Sequence, residues 1–281
     1  MIKKVLAVIT VVVVIALGLL AYSFFKAPEE ASAPLEAVPV VVEEEASQPE
    51  VETVEETEIV ENPQTDPAIA EAQAPSAEEP VNEETANEET TNEETVASNA
   101  PTIFEIVSTE SEARFIIDEV LRNEAVTVVG VTDQVAGQFA IDQADLSRVQ
   151  MGPIVVNART LATDNDFRNR AIKNQILETD AYEFITFTPT EVMGLSGSGA
   201  SGESYNFQIV GDLTIRDVTR PVTFEATATP LSDVELEGSA SVTILYDDFG
   251  LTIPAAQAVS AVDDEVKLEI DFVATAVEQS S

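Results

Sequence analysis

Alternation of apolar and polar residues with a period of two is the feature that most constrains this chain. In residues 211–224, GDLTIRDVTRPVTF, Leu213 and Ile215 alternate with polar neighbours, and Val222 and Phe224 do so again after a short polar turn. This pattern is typical of a β-hairpin with one apolar face. That face must cover either a packed core or a hollow interior.

Similar runs recur through residues 101–281, separated by turn-rich stretches, and several exceed the usual strand length of about five or six residues. In residues 163–177, apolar residues at helical spacing follow Asp164 and Asp166, either of which could cap a short helix. Many long antiparallel strands with one helical insertion favour an up-and-down barrel over a sandwich. The expected strands are Phe104–Val107, Glu112–Asp118, Val126–Ile141, Arg148–Ala158, Glu183–Met193, Ser204–Ile215, Arg220–Thr229, Glu235–Tyr246 and Glu265–Val277.

The first 26 residues have the character of a membrane anchor. Residues 5–25 carry no charge, and at about 1.5 Å per residue they can cross a hydrocarbon core of about 30 Å. Lys3 and Lys4 precede the run, so the positive-inside bias predicts a single-pass anchor in the cell membrane with the C-terminal domain extracytoplasmic. The alternative is a signal peptide cleaved at Ala31-Ser32-Ala33, although such apolar regions usually span only about 7–15 residues.

Residues 27–100 differ sharply in composition from the rest. They hold 22 of the 52 acidic side chains, no basic or aromatic residue, and a NEET repeat between Asn82 and Val96. Such a segment cannot bury enough apolar surface to offset its ordering entropy, so we expect a disordered Glu-rich linker. A linker of this length would hold the domain at 101–281 away from a membrane.

The residue types missing from the chain exclude several functions. Without His or Cys it has no Ser-His-Asp or Cys-His nucleophile, no imidazole or thiolate metal site and no disulfide. Residues 101–281 retain 30 acidic and 10 basic side chains, which disfavours a nucleic-acid partner. The sequence therefore predicts neither enzymatic activity nor a cofactor or metal.

The strand faces that lie away from charged neighbours give a set of inward-facing candidates. An eight-stranded barrel has the size at which side chains either fill the interior or leave room for one small ligand. The pattern alone leaves both possibilities open. The candidates are Phe115, Ile154, Phe187, Phe207, Ile209, Phe224, Ile244 and Ile270.

Six motifs follow one another through residues 104–277: SEARFIIDE (111–119), VVGVTDQVAGQFAID (128–142), VVNARTLATDNDFRN (155–169), ILETDAYEFITFTPTEV (176–192), GDLTIRDVTRPVTF (211–224) and DDFGL (247–251). Their order and spacing resemble those of the YceI-like, polyisoprenoid-binding family of bacterial envelope proteins. The resemblance implies an eight-stranded antiparallel, lipocalin-like barrel whose apolar lumen holds an isoprenoid chain or similar amphiphile. It also implies that the eight candidates above line that lumen and bind the ligand.

Two features depart from the family's pattern. Asp217 stands where many relatives have Gly in the hairpin turn, and Asp tolerates a left-handed conformation there. Histidines frequent in relatives are replaced by residues of the stretches 109–111 and 167–170. The leading hypothesis is non-enzymatic sequestration or transport of an isoprenoid quinone, polyprenyl lipid or similar amphiphile. The alternative is a structural or interaction domain with a filled core on an acidic stalk.

Overall fold

The computed structural model describes residues 26–40 and 100–277, together with positions 9, 13, 15, 18 and 22. The main domain is one antiparallel sheet of thirteen strand segments, strongly curled into a half-barrel of the lipocalin-like kind. The strands are β1 (Thr102–Ile106), β2 (Glu112–Leu121), β3 (Glu124–Thr132), β4 (Val135–Ala136), β5 (Gln138–Ile141), β6 (Gln150–Met151), β7 (Ile154–Asn157), β8 (Phe184–Met193), β9 (Tyr205–Ile215), β10 (Val218–Pro230), β11 (Glu235–Leu245), β12 (Val259–Val262) and β13 (Glu265–Val277).

Pairing along the sheet explains its curl. From β7 to β11 each strand pairs with the next, and β11 pairs with β13. The strand β13 then pairs with β2 through one half of its length and with β1 through the other. Beyond β2 lies β3, and the chain continues from β3 into β4, which pairs back with β7. An isolated bridge between Val131 and Ala162 adds a second link on that side.

The all-β antiparallel class and the helical insertion are confirmed, whereas the expected count of eight strands is wrong. The predicted run 126–141 is three strands, because it turns at Asp133 and Gln134 and again at Gly137. The run 148–158 is likewise divided into β6 and β7. Strong curl bends long strands and interrupts their ladders. An alternating pattern does not register such breaks, and it also missed the short β12.

The opening hairpin is confirmed, with one correction in its turn. Ile215 of β9 pairs with Val218 of β10, so Arg216 and Asp217 form the two-residue loop. The left-handed residue is Arg216, at φ +57°, and not Asp217. Its guanidinium is held by the Ile176 carbonyl oxygen at 3.3 Å and by a Glu178 carboxylate oxygen at 2.9 Å. These contacts stabilise a backbone conformation that is uncommon for arginine.

The helical insertion consists of α1 (Asp166–Ala171), followed by a π-helical segment (Ile172–Ile176). Its cap is Asn165, not Asp164 or Asp166. The Asn165 side-chain oxygen accepts the backbone N–H groups of Phe167 at 2.9 Å and Arg168 at 3.1 Å. Asn165 has the extended backbone of a cap, and Asp166 is already the first helical residue. Short 3-10 segments occupy Ser108–Glu110, Leu146–Arg148, Ala158–Thr160 and Tyr246–Phe249.

The two ends of the curled sheet differ in packing. We call the end that carries α1, the π-helical segment and the β9–β10 turn the helical end. The other end, here the filled end, is closed by a compact apolar cluster in which the Phe104 and Phe139 rings stack at 6.1 Å. Its buried members are Phe104, Ile106, Ala113, Val135, Phe139, Leu236 and Ala274.

Residues 26–40, which we call the strap, lie without regular secondary structure against the curled sheet. Lys26 and Ser32 contact the helical end, and the Val40 N–H donates to the Gln138 side chain at 3.3 Å. The predicted disordered linker begins inside this segment, and its residues 41–99 lie outside the described residues. So does most of the predicted anchor. Within the described part of the chain, no helix is long and apolar enough to cross a membrane.

Candidate functional site

An apolar cavity of about 270 Å³ occupies the interior of the curled sheet. Its walls are inward-facing side chains of the long strands, and its cover at the helical end is formed by Ile172, Ile176 and Leu177. At the other end it stops at the cluster of the filled end, where Ile106, Phe139 and Phe272 contribute to the lining. The hairpin with which the sequence opened therefore faces a space and not a packed core.

Seven of the eight inward-facing candidates line this cavity. They come from six different strands, because alternation brings every second residue of each strand to the inner face. Phe207 is the exception, since it pairs with Ala226 and packs against the surrounding apolar cluster outside the lining. The seven are Phe115, Ile154, Phe187, Ile209, Phe224, Ile244 and Ile270. Their role in binding a ligand stays a prediction.

Glycines on the inner face explain why the space stays open. A Cβ at Gly130 would lie 2.1 Å from the Phe115 ring, and a Cβ at Gly211 would lie 2.7 Å from the Phe187 ring. These rings therefore lie directly on the backbone of a nearby strand and do not project into the lumen. The Phe272 ring covers Gly238 in the same way. The sequence analysis missed this feature, which the pairing of a Phe in one strand with a Gly in the next could have indicated.

Charged residues approach the cavity at the helical end. Glu119 of β2, with only 9% of its side chain exposed, pairs with Arg168 of α1 at 2.8 Å. Arg168 also pairs with Asp164 at 2.6 Å. Both Glu119 and Arg168 border the cavity. They are far apart in sequence, so no local motif pointed to the pair.

Tyr246 gives the same end of the lining a hydroxyl group. Its O–H lies 3.4 Å from Asp264, and burial together with that carboxylate raises the pKa of Tyr246 above its ordinary value. The phenol therefore stays protonated and able to donate at neutral pH. The cavity thus combines long apolar walls with a few polar groups near one end.

A second charged network stabilises the wall from outside. Arg114 lies between the inward-facing Ala113 and Phe115, so its side chain points to the outer face. It donates to Glu269 at 2.7 Å and also pairs with Asp271, which joins β2 to β13. Hydrogen bonds from Lys267 and Arg114 hold the pKa of Glu269 below its ordinary value. These charges stay outside the apolar interior.

Chemistry beyond binding finds little support in this arrangement. In the described ranges, no three His, Cys, Asp or Glu residues lie close enough together to hold a metal ion. The lining is dominated by aliphatic and phenyl side chains. Such a site can bury hydrocarbon and orient one polar end of a ligand.

Comparison with known proteins agrees with this geometry. Residues 104–274 match the family described as the YceI-like domain. Two UPF0312 proteins of Vibrio vulnificus, from strains YJ016 and CMCP6, are each 29% identical over 92 residues, which is 32% of this chain and 44% of the relative. The match therefore spans less than half the length of these relatives.

Solved structures with a similar fold come from two further bacteria. A polyisoprenoid binding domain from Saccharophagus degradans, implicated in plant cell wall breakdown, has 16% identity and a TM-score of 0.48 over 62% of this chain and 98% of its own. BcnA of Burkholderia cenocepacia has 17% identity and a TM-score of 0.49 over 60% of this chain and 99% of its own.

Proposed function

This chain belongs to the YceI-like family, and from that premise we propose that its cavity binds the hydrocarbon chain of an isoprenoid quinone, a polyprenyl lipid or a similar amphiphile. The role would be sequestration or transport, without a reaction. The known members of the family are binding proteins, and membership supports lipid binding in general. The observation that carries the proposal for this chain is the apolar cavity itself.

The size of the cavity suits a chain rather than a solvent molecule. One water needs about 10–15 Å³ of such volume, so the about 270 Å³ available holds on the order of twenty carbon-sized groups. At about 0.3 kcal/mol per atom, a ligand of that size would gain about 6 kcal/mol, which corresponds to tens of micromolar. Burial of each methylene can contribute up to about 0.8 kcal/mol, so tighter binding is accessible.

The polar groups at the helical end supply an orientation. In the proposed complex the hydrocarbon lies along the phenylalanine-lined walls, and the polar end of the amphiphile lies near Tyr246 and the Glu119–Arg168 pair. A head group with a carbonyl or hydroxyl oxygen can accept from the Tyr246 O–H. The apolar length, rather than these contacts, provides most of the binding free energy.

The cellular setting follows from the N-terminal sequence. We propose that residues 5–25 anchor the chain in the cell membrane, with Lys3 and Lys4 in the cytoplasm and the curled sheet outside. Protease added to spheroplasts should then remove the domain, whereas protection until the membrane is lysed would contradict this orientation. A mature N-terminus near Pro34 would instead establish a cleaved signal peptide.

Binding is tested on the polypeptide that begins at Lys26, which keeps the strap and omits the apolar run. Native mass spectrometry with geranylgeraniol, at concentrations well above tens of micromolar, should show an adduct of one ligand per chain. Hexanediol at the same concentration is the control, since its hydrocarbon is short. No adduct with geranylgeraniol would contradict the proposal and favour the structural domain with a filled core.

A further inference from the structure

The strap fixes the point at which the chain reaches the curled sheet. The Lys26 ammonium group donates to Asp180, and the Lys26 carbonyl oxygen accepts from the Asn174 side chain at 2.8 Å. The Glu29 N–H donates to Asp180 at 3.1 Å, and the Ser32 N–H donates to Glu183 at 2.8 Å. Several independent bonds therefore hold the start of the strap at the helical end.

A buried charge network supports this attachment. The Arg159 side chain is only 10% exposed and pairs with Glu183 at 3.0 Å and with Glu29 at 3.2 Å. Arg159 also donates to the Glu30 carbonyl oxygen at 3.2 Å. A buried, multiply bonded arginine fixes its partners in one geometry, because an unpaired charge at that depth would be costly.

No free spacer separates this attachment from the apolar run. The run ends at residue 25, and Lys26 is the first residue of the strap. The Lys26 N–H donates to the Tyr22 carbonyl oxygen at 2.8 Å, which is a helical i to i−4 bond. If residues 5–25 lie in a membrane, the helical end must lie at its surface.

The helical end presents groups that suit a lipid surface. Phe167, on α1, is 66% exposed, and the Arg170 guanidinium lies 5.9 Å from the centre of its ring. Arg170 makes no ion pair with any residue that the structure describes, in a domain where acidic side chains far outnumber basic ones. An exposed ring beside an unpaired cation is typical of helices that lie in a membrane interface.

The same helical segment connects that surface to the cavity. Phe167 and Arg170 face outward, whereas Ile172, Ile176 and Leu177, a turn further on, cover the cavity. One short element therefore separates the exposed surface from the apolar interior.

We propose that the helical end docks on the bilayer in which the chain's own apolar run is inserted, with Phe167 in the interface and Arg170 on lipid phosphate. This inference rests on the proposed anchor and lipid binding. It adds that the cavity is held at the membrane with its α1 cover towards the lipid, so that a lipid chain can pass without crossing water.

Docking also gives the acidic segment a different role from the expected spacer. The strap ends near Gln138 of β5, and the chain returns as β1, where Thr102 pairs with Ile141 of β5. Residues 41–99 therefore leave and re-enter the domain at the filled end. Their negative charge is attached away from the docking surface, where it does not repel anionic lipid.

The test uses the full chain in liposomes of phosphatidylcholine and phosphatidylglycerol. Because the chain has no cysteine, single substitutions place a bimane probe at one site: Asp166→Cys beside Phe167, or Ser201→Cys in the β8–β9 loop at the filled end. With spin-labelled lipid in the outer leaflet, we expect quenching at position 166 to exceed quenching at 201 at least threefold. Flotation of the liposomes shows in the same sample whether the chain is anchored.

Surface variants complete the design. On the Asp166→Cys background, Phe167→Ser with Arg170→Gln should reduce quenching to the level at 201, whereas Arg148→Gln, a matched loss of charge at the filled end, should not. Chains that float but show equal quenching at 166 and 201 would overturn docking and leave the anchor intact. Chains that do not float would overturn both, while the geranylgeraniol adduct tests lipid binding independently.

Discussion

The hollow interior predicts opposite outcomes for one substitution made at two alanines. Ala240 of β11 lines the cavity. Ala274 of β13 is fully buried in the cluster of the filled end and does not line the cavity. A phenylalanine at Ala240 can place its ring in free space, whereas the same ring at Ala274 has to displace packed neighbours.

The magnitudes differ enough to be measured. Overpacking at Ala274 should cost about 1–3 kcal/mol of unfolding free energy, or about 2–12 °C in Tm for a domain of this size. The ring at Ala240 should leave the free energy of unfolding within about 1 kcal/mol of the parent, since it fills space rather than overpacks. That ring removes room for about six carbon-sized groups, worth at most about 5 kcal/mol of ligand binding. Because the ligand can shift along the cavity, we expect at least a tenfold rise in Kd, about 1.4 kcal/mol.

The assay pairs a thermal melt with a geranylgeraniol titration for each variant. Ala240→Phe should melt with the parent and bind more weakly, and Ala274→Phe should melt lower. If Ala240→Phe loses as much stability as Ala274→Phe, the interior is filled and the argument for a lipid site fails. An unchanged Kd in a stable Ala240→Phe would show that the ligand binds elsewhere.

Three further predictions concern the supports of the site. Gly211→Ala should cost about 1–3 kcal/mol in urea unfolding, because its Cβ would lie 2.5 Å from a backbone oxygen; Gly199→Ala, whose Cβ would meet only a flexible leucine at 3.2 Å, should cost less, and equal losses would refute the close approach. Asn165→Ala should cost about 1 kcal/mol through the lost cap and speed amide exchange in α1; unchanged exchange would contradict the capping role. The hydrogen bond from the strap's first residue lowers the pKa of Asp180, so the strap should be held above about pH 4 and released as the pH falls through that lowered pKa; protection of the Ser32 amide that persists at pH 2 would contradict this.

Period-two alternation was enough to identify the sheet and its inner face. Phe187, Phe224 and Ile270 were assigned inward from their neighbours alone, and all three line the cavity. The pattern works because the side-chain period of a strand is fixed by backbone geometry and does not depend on the fold.

Features that depend on long-range geometry were beyond the sequence. The Glu119–Arg168 pair and the Lys26–Asp180 attachment join residues far apart along the chain. The strap has no alternation or helical period, so its docking rests on individual hydrogen bonds. Whether the apolar face enclosed a cavity also depended on how Phe115 lies over Gly130, which requires the register of β2 against β3.

Organic extraction of the full chain, purified from its own membranes without added lipid, tests the central claim most directly. Mass spectrometry of the extract should show one class of isoprenoid or similar amphiphile, present close to one per chain and reduced at least tenfold in Ala240→Phe. An extract without such an amphiphile, or one whose amount is the same in the parent and in a folded Ala240→Phe, would contradict the claim that the cavity binds lipid.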